Sequence, residues 1–234
     1  MFRMPVLTLV FAVSVVPLVA CDAQVDSSHQ GNPLATLSGS LTTTSATPSA
    51  DAEVSVVWGV QSGGLSLVGA DSVEVEGSFP AAFELSIFEP PTEEMLGELD
   101  GTRFGLAYIV AGWDGGAGLE DPWLGAELAH VLVYLVDSPA ADSELALLLR
   151  GSPTPGYHLY DAHQLTEEET EARNQCVSDL FNADSSHMPT TQEMFGACGG
   201  ARAVDLFPAE NDLETPLSVE LLDGVDINDL PHSW

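Results

Sequence analysis

From Phe79 to Ile87 the apolar side chains recur at every second position. Phe79, Ala81, Phe83, Leu85 and Ile87 fall on one face, and Ala82, Glu84 and Ser86 on the other. A period of two belongs to an extended strand with one face in a core and the other in water, as an antiparallel sheet provides. Pro90-Pro91 ends the segment, because proline cannot donate to a sheet ladder. Leu217, Val219 and Leu221 alternate with Ser218 and Glu220 in the same way. Phe104 to Val110 and Val131 to Val136 are apolar on both faces and read as central strands. Thr36 to Leu41 and Val54 to Trp58 add two more, the latter built from the β-branched and aromatic residues that strands favour. Leu65 to Val68 and Ser72 to Glu76 flank Gly69-Ala-Asp71 and predict a hairpin. Many short strands separated by turn residues specify a mainly β chain, and the expected fold is an antiparallel β-sandwich.

The first 20 residues follow a different rule. Arg3 gives a positive start, Val6 to Val16 is apolar except for Thr8 and Ser14, and Pro17 follows. The apolar run is shorter than the roughly 20 residues of a membrane span and suits the core of a signal peptide. It closes in Leu18-Val19-Ala20-Cys21, which resembles the lipobox of bacterial lipoproteins. The resemblance covers the first 21 residues. It implies cleavage before Cys21, diacylglycerol on its sulfur and, in many bacteria, acylation of the new amino terminus. The alternative is a cleaved, soluble secretory protein. Asp22 resembles the inner-membrane retention signal of enteric bacteria, and the choice between the periplasmic face of the inner membrane and the outer membrane stays open. Residues 21–35, polar with Gly31 and Pro33, are expected to tether a domain covering 36–234. The segments EGSFPAAFELSIFEPP, FGLAYIV, HVLVYLVD and PGYHL resemble those of lipoproteins from myxobacterium-like bacteria, a resemblance that implies no activity.

One stretch of the body departs from the strand period. Thr166-Glu-Glu-Glu169 is a capping box. Ala172, Cys176 and Leu180 then recur at four-residue spacing, with Val177 and Phe181 beside them, and predict an amphipathic helix of about four turns. Glu167, Glu168 and Glu169 fall in its first turn, where the helix dipole favours negative charge. A second short helix is expected from Thr191 to Ala197, ending at Cys198-Gly-Gly. With Cys21 set aside, Cys176 and Cys198 form an even pair in an exported chain and predict one disulfide. In the chain-entropy model, such a loop contributes about 3 kcal/mol. Two buried free thiols are the alternative. The expectation is a small disulfide-clipped helical insert at about residues 166–198.

Charge narrows the partners. The chain has 36 acidic residues against five basic ones, all arginine, for a net charge of −31. Such a surface repels nucleic acid and anionic head groups, so no nucleic-acid partner is expected. Yet 45% of the residues are hydrophobic, so the acids wrap a core rather than a disordered tail. Adaptation to a salty medium and binding of cations both account for the acidity.

The candidates for chemistry are few. His158 and His163 frame His-Leu-Tyr-Asp-Ala-His, with Asp161 as a third ligand for zinc. A helical zinc motif sets its histidines four apart around a glutamate, whereas here the spacing is five and the segment is not helical. Asp223, Asp226, Asn228 and Asp229 offer the oxygen ligands of calcium without the spacing of a calcium loop. Trp113 and Trp123 flank a Gly-rich loop and can stack on a glycan, anchor a protein, or cap the end of the core. There is no Gly-x-Ser-x-Gly nucleophile motif. The expected protein is a lipid-anchored envelope module that is structural or binds another envelope protein or a glycan, without a cofactor. The alternatives are a metal-dependent hydrolase centred on His158, Asp161 and His163, and a calcium-dependent adhesion module.

Salt dependence separates the two accounts of the acidity. Screening acts beyond a Debye length, about 8 Å at 0.15 M salt. The melting temperature is therefore expected to climb gradually with sodium chloride. Millimolar calcium should add little once salt is high, and Asp226→Asn with Asp229→Asn should not change that. A calcium-specific rise at high salt, lost in the double variant, would establish a cation site instead.

Overall fold

In the computed structural model the residues described are 31–43, 52–61, 65–75, 79–113, 125–183, 187–200 and 204–221. The strands are β1 (Ala35–Thr43), β2 (Ala52–Gln61), β3 (Leu65–Val75), β4 (Ala81–Ile87), β5 (Gly97–Leu99), β6 (Thr102–Trp113), β7 (Gly125–Leu135), β8 (Gly156–Gln164), β9 (Val204–Pro208) and β10 (Leu217–Leu221). The α-helices are α1 (Glu144–Leu148), α2 (Glu167–Ala183) and α3 (Thr191–Cys198). The fold is mainly β, with two sheets and a disulfide-clipped helical insert.

The larger sheet runs β3-β2-β6-β7-β8-β9, with β5 paired to β6, and the smaller runs β10-β1-β4. Every strand with clear alternation lies where one face meets a core. Phe83, Leu85 and Ile87 of β4 are buried, as are Leu217, Val219 and Leu221 of β10. They pack with Leu37 and Leu41 of β1 against one face of the larger sheet, contributed by Val54, Val56, Trp58, Ile109, Leu132 and Leu159. Tyr157 joins this layer between Trp58 and Tyr134, its ring centroid 6.2 and 4.8 Å from theirs, and its hydroxyl donates to the Glu89 carbonyl at 2.7 Å.

The other face of the larger sheet carries a second core. Leu106, Tyr108 and Val110 of β6 and Val131, Val133 and Leu135 of β7 pack there with Leu145, Leu148 and Leu149 of the α1 segment. This is why β6 and β7 are apolar on both sides. Sequence periodicity did not reveal α1. Its first turn is fixed by one local and one distant cap, with Ser143 Oγ accepting from the Ala146 N–H at 3.1 Å and Asp100 Oδ2 accepting from the Glu144 N–H at 2.6 Å. Asp100 belongs to the Asp100-Gly101 turn, where both residues have positive φ, the conformation that joins two-residue hairpins. That dipeptide was the available signal for β5.

Two local expectations change. Gly69-Ala-Asp71 does not turn the chain, because β3 runs straight through it while paired to β2. Ser55 lies opposite Ser72 and Val57 opposite Gly69, so β3 carries one extra residue there. A glycine inside a strand marks a bulge as readily as a turn. The smaller sheet is also not wholly antiparallel, since β1 pairs with β10 in parallel, Gly39 opposite Leu217. A parallel pair needs a long connection, and here almost the whole domain lies between the two strands.

The sheets approach closely where β7 begins. A Cβ on Gly125 would lie 2.3 Å from the Glu220 carbonyl oxygen of β10. Gly125→Ala is therefore expected to destabilise by about 1–3 kcal/mol, since backbone must shift to admit it. Gly196→Ala is the contrast: it sits within α3, its Cβ meets nothing within 4 Å, and it should gain up to about 1 kcal/mol. Urea unfolding of both variants measures the difference.

Candidate functional site

The three residues with zinc-like chemistry lie on β8, where the strand puts His158 on the face opposite Asp161 and His163. His158 and Asp161 are three apart, so alternation sends them to opposite faces. His158 Nδ1 lies 3.2 Å from Asp212 Oδ2, and its Nε2 is 2.7 Å from the Thr154 carbonyl oxygen. Asp212 also accepts the Leu159 N–H at 2.7 Å. Asp161 faces His130 across the ladder, and His163 is in register with Asp205 of β9. No group of three His, Cys, Asp or Glu side chains able to hold a metal ion occurs among the described residues. The expected His158–Asp161–His163 set is thus not brought together. Trp113 ends β6 but its side chain is not described. Cys21, Trp123, Asp223, Asp226, Asn228 and Asp229 lie outside the described residues.

The structure instead assembles a charged cluster that the sequence reading missed. Between Ile109↔Glu127 and Ala107↔Leu132 the ladder of β6 and β7 slips, so Leu128 to Val131 stand against Tyr108 alone. The bulge turns Glu127 into the protein, where only 4% of the residue is exposed. Its carboxylate accepts the Ala129 N–H at 2.8 Å and the Ser218 N–H of β10 at 2.9 Å. His130 Nδ1 is 3.3 Å from Glu127 Oε1, within reach of charge attraction but without hydrogen-bond alignment. Its Nε2 lies 3.4 Å from Asp161 Oδ1. Burial works against the Glu127 charge, but His130 and the two backbone donors outweigh it and hold the carboxyl below its usual range. Glu127 in turn raises the His130 imidazole above its usual value, with a smaller push from Asp161. The available signal was an acid inside a strand that is otherwise mostly apolar.

A second assembly joins the helical insert to the larger sheet. Cys176 and Cys198 are bonded, with sulfurs 1.99 Å apart, and tie α2 to α3. Each helix opens with a reciprocal capping box. Thr166 and Glu169 exchange bonds of 3.2 and 2.8 Å at α2, and Thr190 and Glu193 do the same at α3. The Thr190 N–H, aided by His187, brings Glu193 down to about 2. Arg173 on α2 docks the pair, donating to both oxygens of Asp205 on β9 at 2.9 and 3.0 Å. That guanidinium keeps the Asp205 carboxyl below its usual range, with help from Arg150 and His163.

The expected apolar stripe of α2 is present, yet neither helix has a buried residue. Phe181 is 41% exposed and Met188, just before α3, is 78% exposed. Four-residue spacing says which residues share a face but not what that face meets, and the core was already closed by the sheets and α1.

The chain matches no family model, no curated protein and no solved structure. The functional reading therefore rests on its own residues.

The Glu127–His130–Asp161 cluster makes a prediction about pH. The stability that protonated His130 contributes is complete below its unfolded value, about 6.5, and is lost as pH rises through its raised folded value. The contribution of Glu127 is lost in the opposite direction, as pH falls through its lowered value. His130→Gln should cost about 1–3 kcal/mol near pH 6, where Glu127 loses its cation. It should also flatten the fall in melting temperature that is expected of the wild type above about pH 6.5. An identical pH profile in wild type and variant would exclude His130 as its source.

Proposed function

We propose that this protein is a lipid-anchored component of a bacterial cell envelope, exported and held by lipid on Cys21. Its folded part is a non-catalytic module that binds another envelope protein. The anchor follows from Leu18-Val19-Ala20-Cys21 after a short apolar run. Among the described residues no helix is long and apolar enough to cross a membrane. One lipid chain holds weakly and several hold firmly, at about 0.8 kcal/mol per buried CH₂.

The observation that carries the binding role is the insert. Its helices contribute no buried residue, yet a disulfide, two capping boxes and the Arg173–Asp205 pair fix them. Rigid presentation of exposed apolar side chains such as Phe181 and Met188 reduces the ordering cost of meeting a partner.

Two measurements test the reading. Labelled palmitate should enter the wild type and not Cys21→Ala; equal labelling would end the anchored reading. A photo-crosslinking residue in place of Phe181, in living cells, should give one discrete adduct with an envelope protein. The same residue in place of Glu84, exposed on β4, should not. Matching adduct patterns at the two positions would remove the insert from the binding role.

A further inference from the structure

Behind the insert, α1, α3 and β9 border an open cleft of about 480 Å³, within the size range of small-molecule sites. Leu148, Phe195 and Val204 give it apolar walls, and Arg150, Gln192 and Asp205 supply polar atoms. Arg150 also lines a smaller cleft of about 280 Å³ that contains His158 and Asp212.

Three observations single out Arg150. The first is its backbone. The Gly151 N–H bonds the Ala146 carbonyl at 2.8 Å and the Arg150 N–H bonds the Leu147 carbonyl at 3.4 Å, closing α1 in a Schellman motif. Arg150 takes the left-handed position of that motif, with φ 55°, where glycine is usual because a side chain crowds the backbone. A strained residue of this kind beside a cleft points to a use for its side chain. The second is its fixed orientation: Nε donates to the Leu206 carbonyl at 2.9 Å, and Cζ lies 3.9 Å from the Phe207 ring centroid.

The third is what the guanidinium lacks. Its Nη groups make no hydrogen bond among the described residues. Asp205 Oδ2 stands 3.6 Å from Nη2, and both Asp205 oxygens already accept from Arg173. The Arg150 side chain is 45% exposed, so its donors remain reachable. A guanidinium held in place, with Nη groups that form no hydrogen bond among the described residues and only a loose ion pair, is suited to bidentate capture of a carboxylate.

We propose that this cleft binds a small organic carboxylate, its head group on Arg150 and its apolar body between α1 and α3. The inference goes beyond the partner role of the insert, because it concerns the cleft behind the helices and stands whether or not their exposed side meets a protein.

The test is calorimetric titration of the full chain, purified as the cell processes it, with 4-phenylbutyrate. Its neutral amide, 4-phenylbutanamide, and acetate serve as controls. Saturable one-to-one binding of 4-phenylbutyrate is expected, with the amide and acetate each weaker by about tenfold or more. Arg150→Gln should weaken 4-phenylbutyrate to the level of the amide. Arg150 also supports β9, so a second variant guards against misfolding. Gly196→Leu fills the cleft from a helical position whose Cβ meets nothing within 4 Å, and it should abolish binding without lowering the melting temperature. Absence of saturable binding, equal affinity for acid and amide, or unchanged binding in Gly196→Leu would each overturn the proposal.

Discussion

The carboxylate of Glu127 joins the two sheets. It belongs to β7 of the larger sheet and accepts the Ser218 N–H of β10 in the smaller one. An edge strand has backbone donors that no neighbouring strand pairs, and a buried donor left without a partner costs about 1–3 kcal/mol. Glu127 supplies the missing acceptor, and Gly125 two residues earlier lets the backbones approach. The carboxylate would be costly to bury alone. His130 and the Ala129 N–H share its charge, and His130 is shared in turn with Asp161 at the surface. One bulge in β7 thus places the acid, its counterion and the contact between layers.

Cations are scarce in this chain, and the structure places them with economy. It has no lysine. The three arginines among the described residues each sit near a carboxylate that links separate segments. Arg103 of β6 bonds Glu93 in the short 3-10 helix before β5, and Arg173 of α2 bonds Asp205 of β9. Arg150 forms only a looser ion pair with the same Asp205, Nη2 to Oδ2 at 3.6 Å. Exposed pairs of this kind contribute little to stability in general. Arg173 is different: its bidentate geometry and low exposure, 13%, fix the direction in which the insert leaves the sheet. Arg150 has the fixed orientation without the full pairing, which sets it apart from the other two.

The helical insert shows how capping and covalent linkage take over where core packing stops. An isolated helix the length of α3 is marginal in water. Its capping box, a left-handed Gly199 at its end and the disulfide to α2 hold it without any buried side chain. The sheets need no such devices, because Leu37, Leu41, Leu132, Leu159 and Val219 are all within 1% of complete burial. The domain therefore has a rigid body held by apolar packing and an appended hairpin held by polar and covalent contacts.

What the sequence determined by itself was local and periodic. Alternation over Phe79 to Ile87 and Leu217 to Leu221 set which side chains turn inward. The two-sided apolar runs marked β6 and β7 as central, and Thr166-Glu-Glu-Glu169 and the paired cysteines marked the insert. These signals are legible because each depends on residues a few positions apart. Tertiary structure decided everything that depends on which segments meet. It paired β1 with β10 in parallel and turned Gly69-Ala-Asp71 into a bulge. It placed His158 against Asp212 while sending Asp161 to His130. It also made Glu127 a buried acid and set the Arg150 guanidinium at the edge of a cleft. The partners in these contacts come from separate strands or helices, so no spacing in the sequence encodes them; only the sheet register brings them within reach.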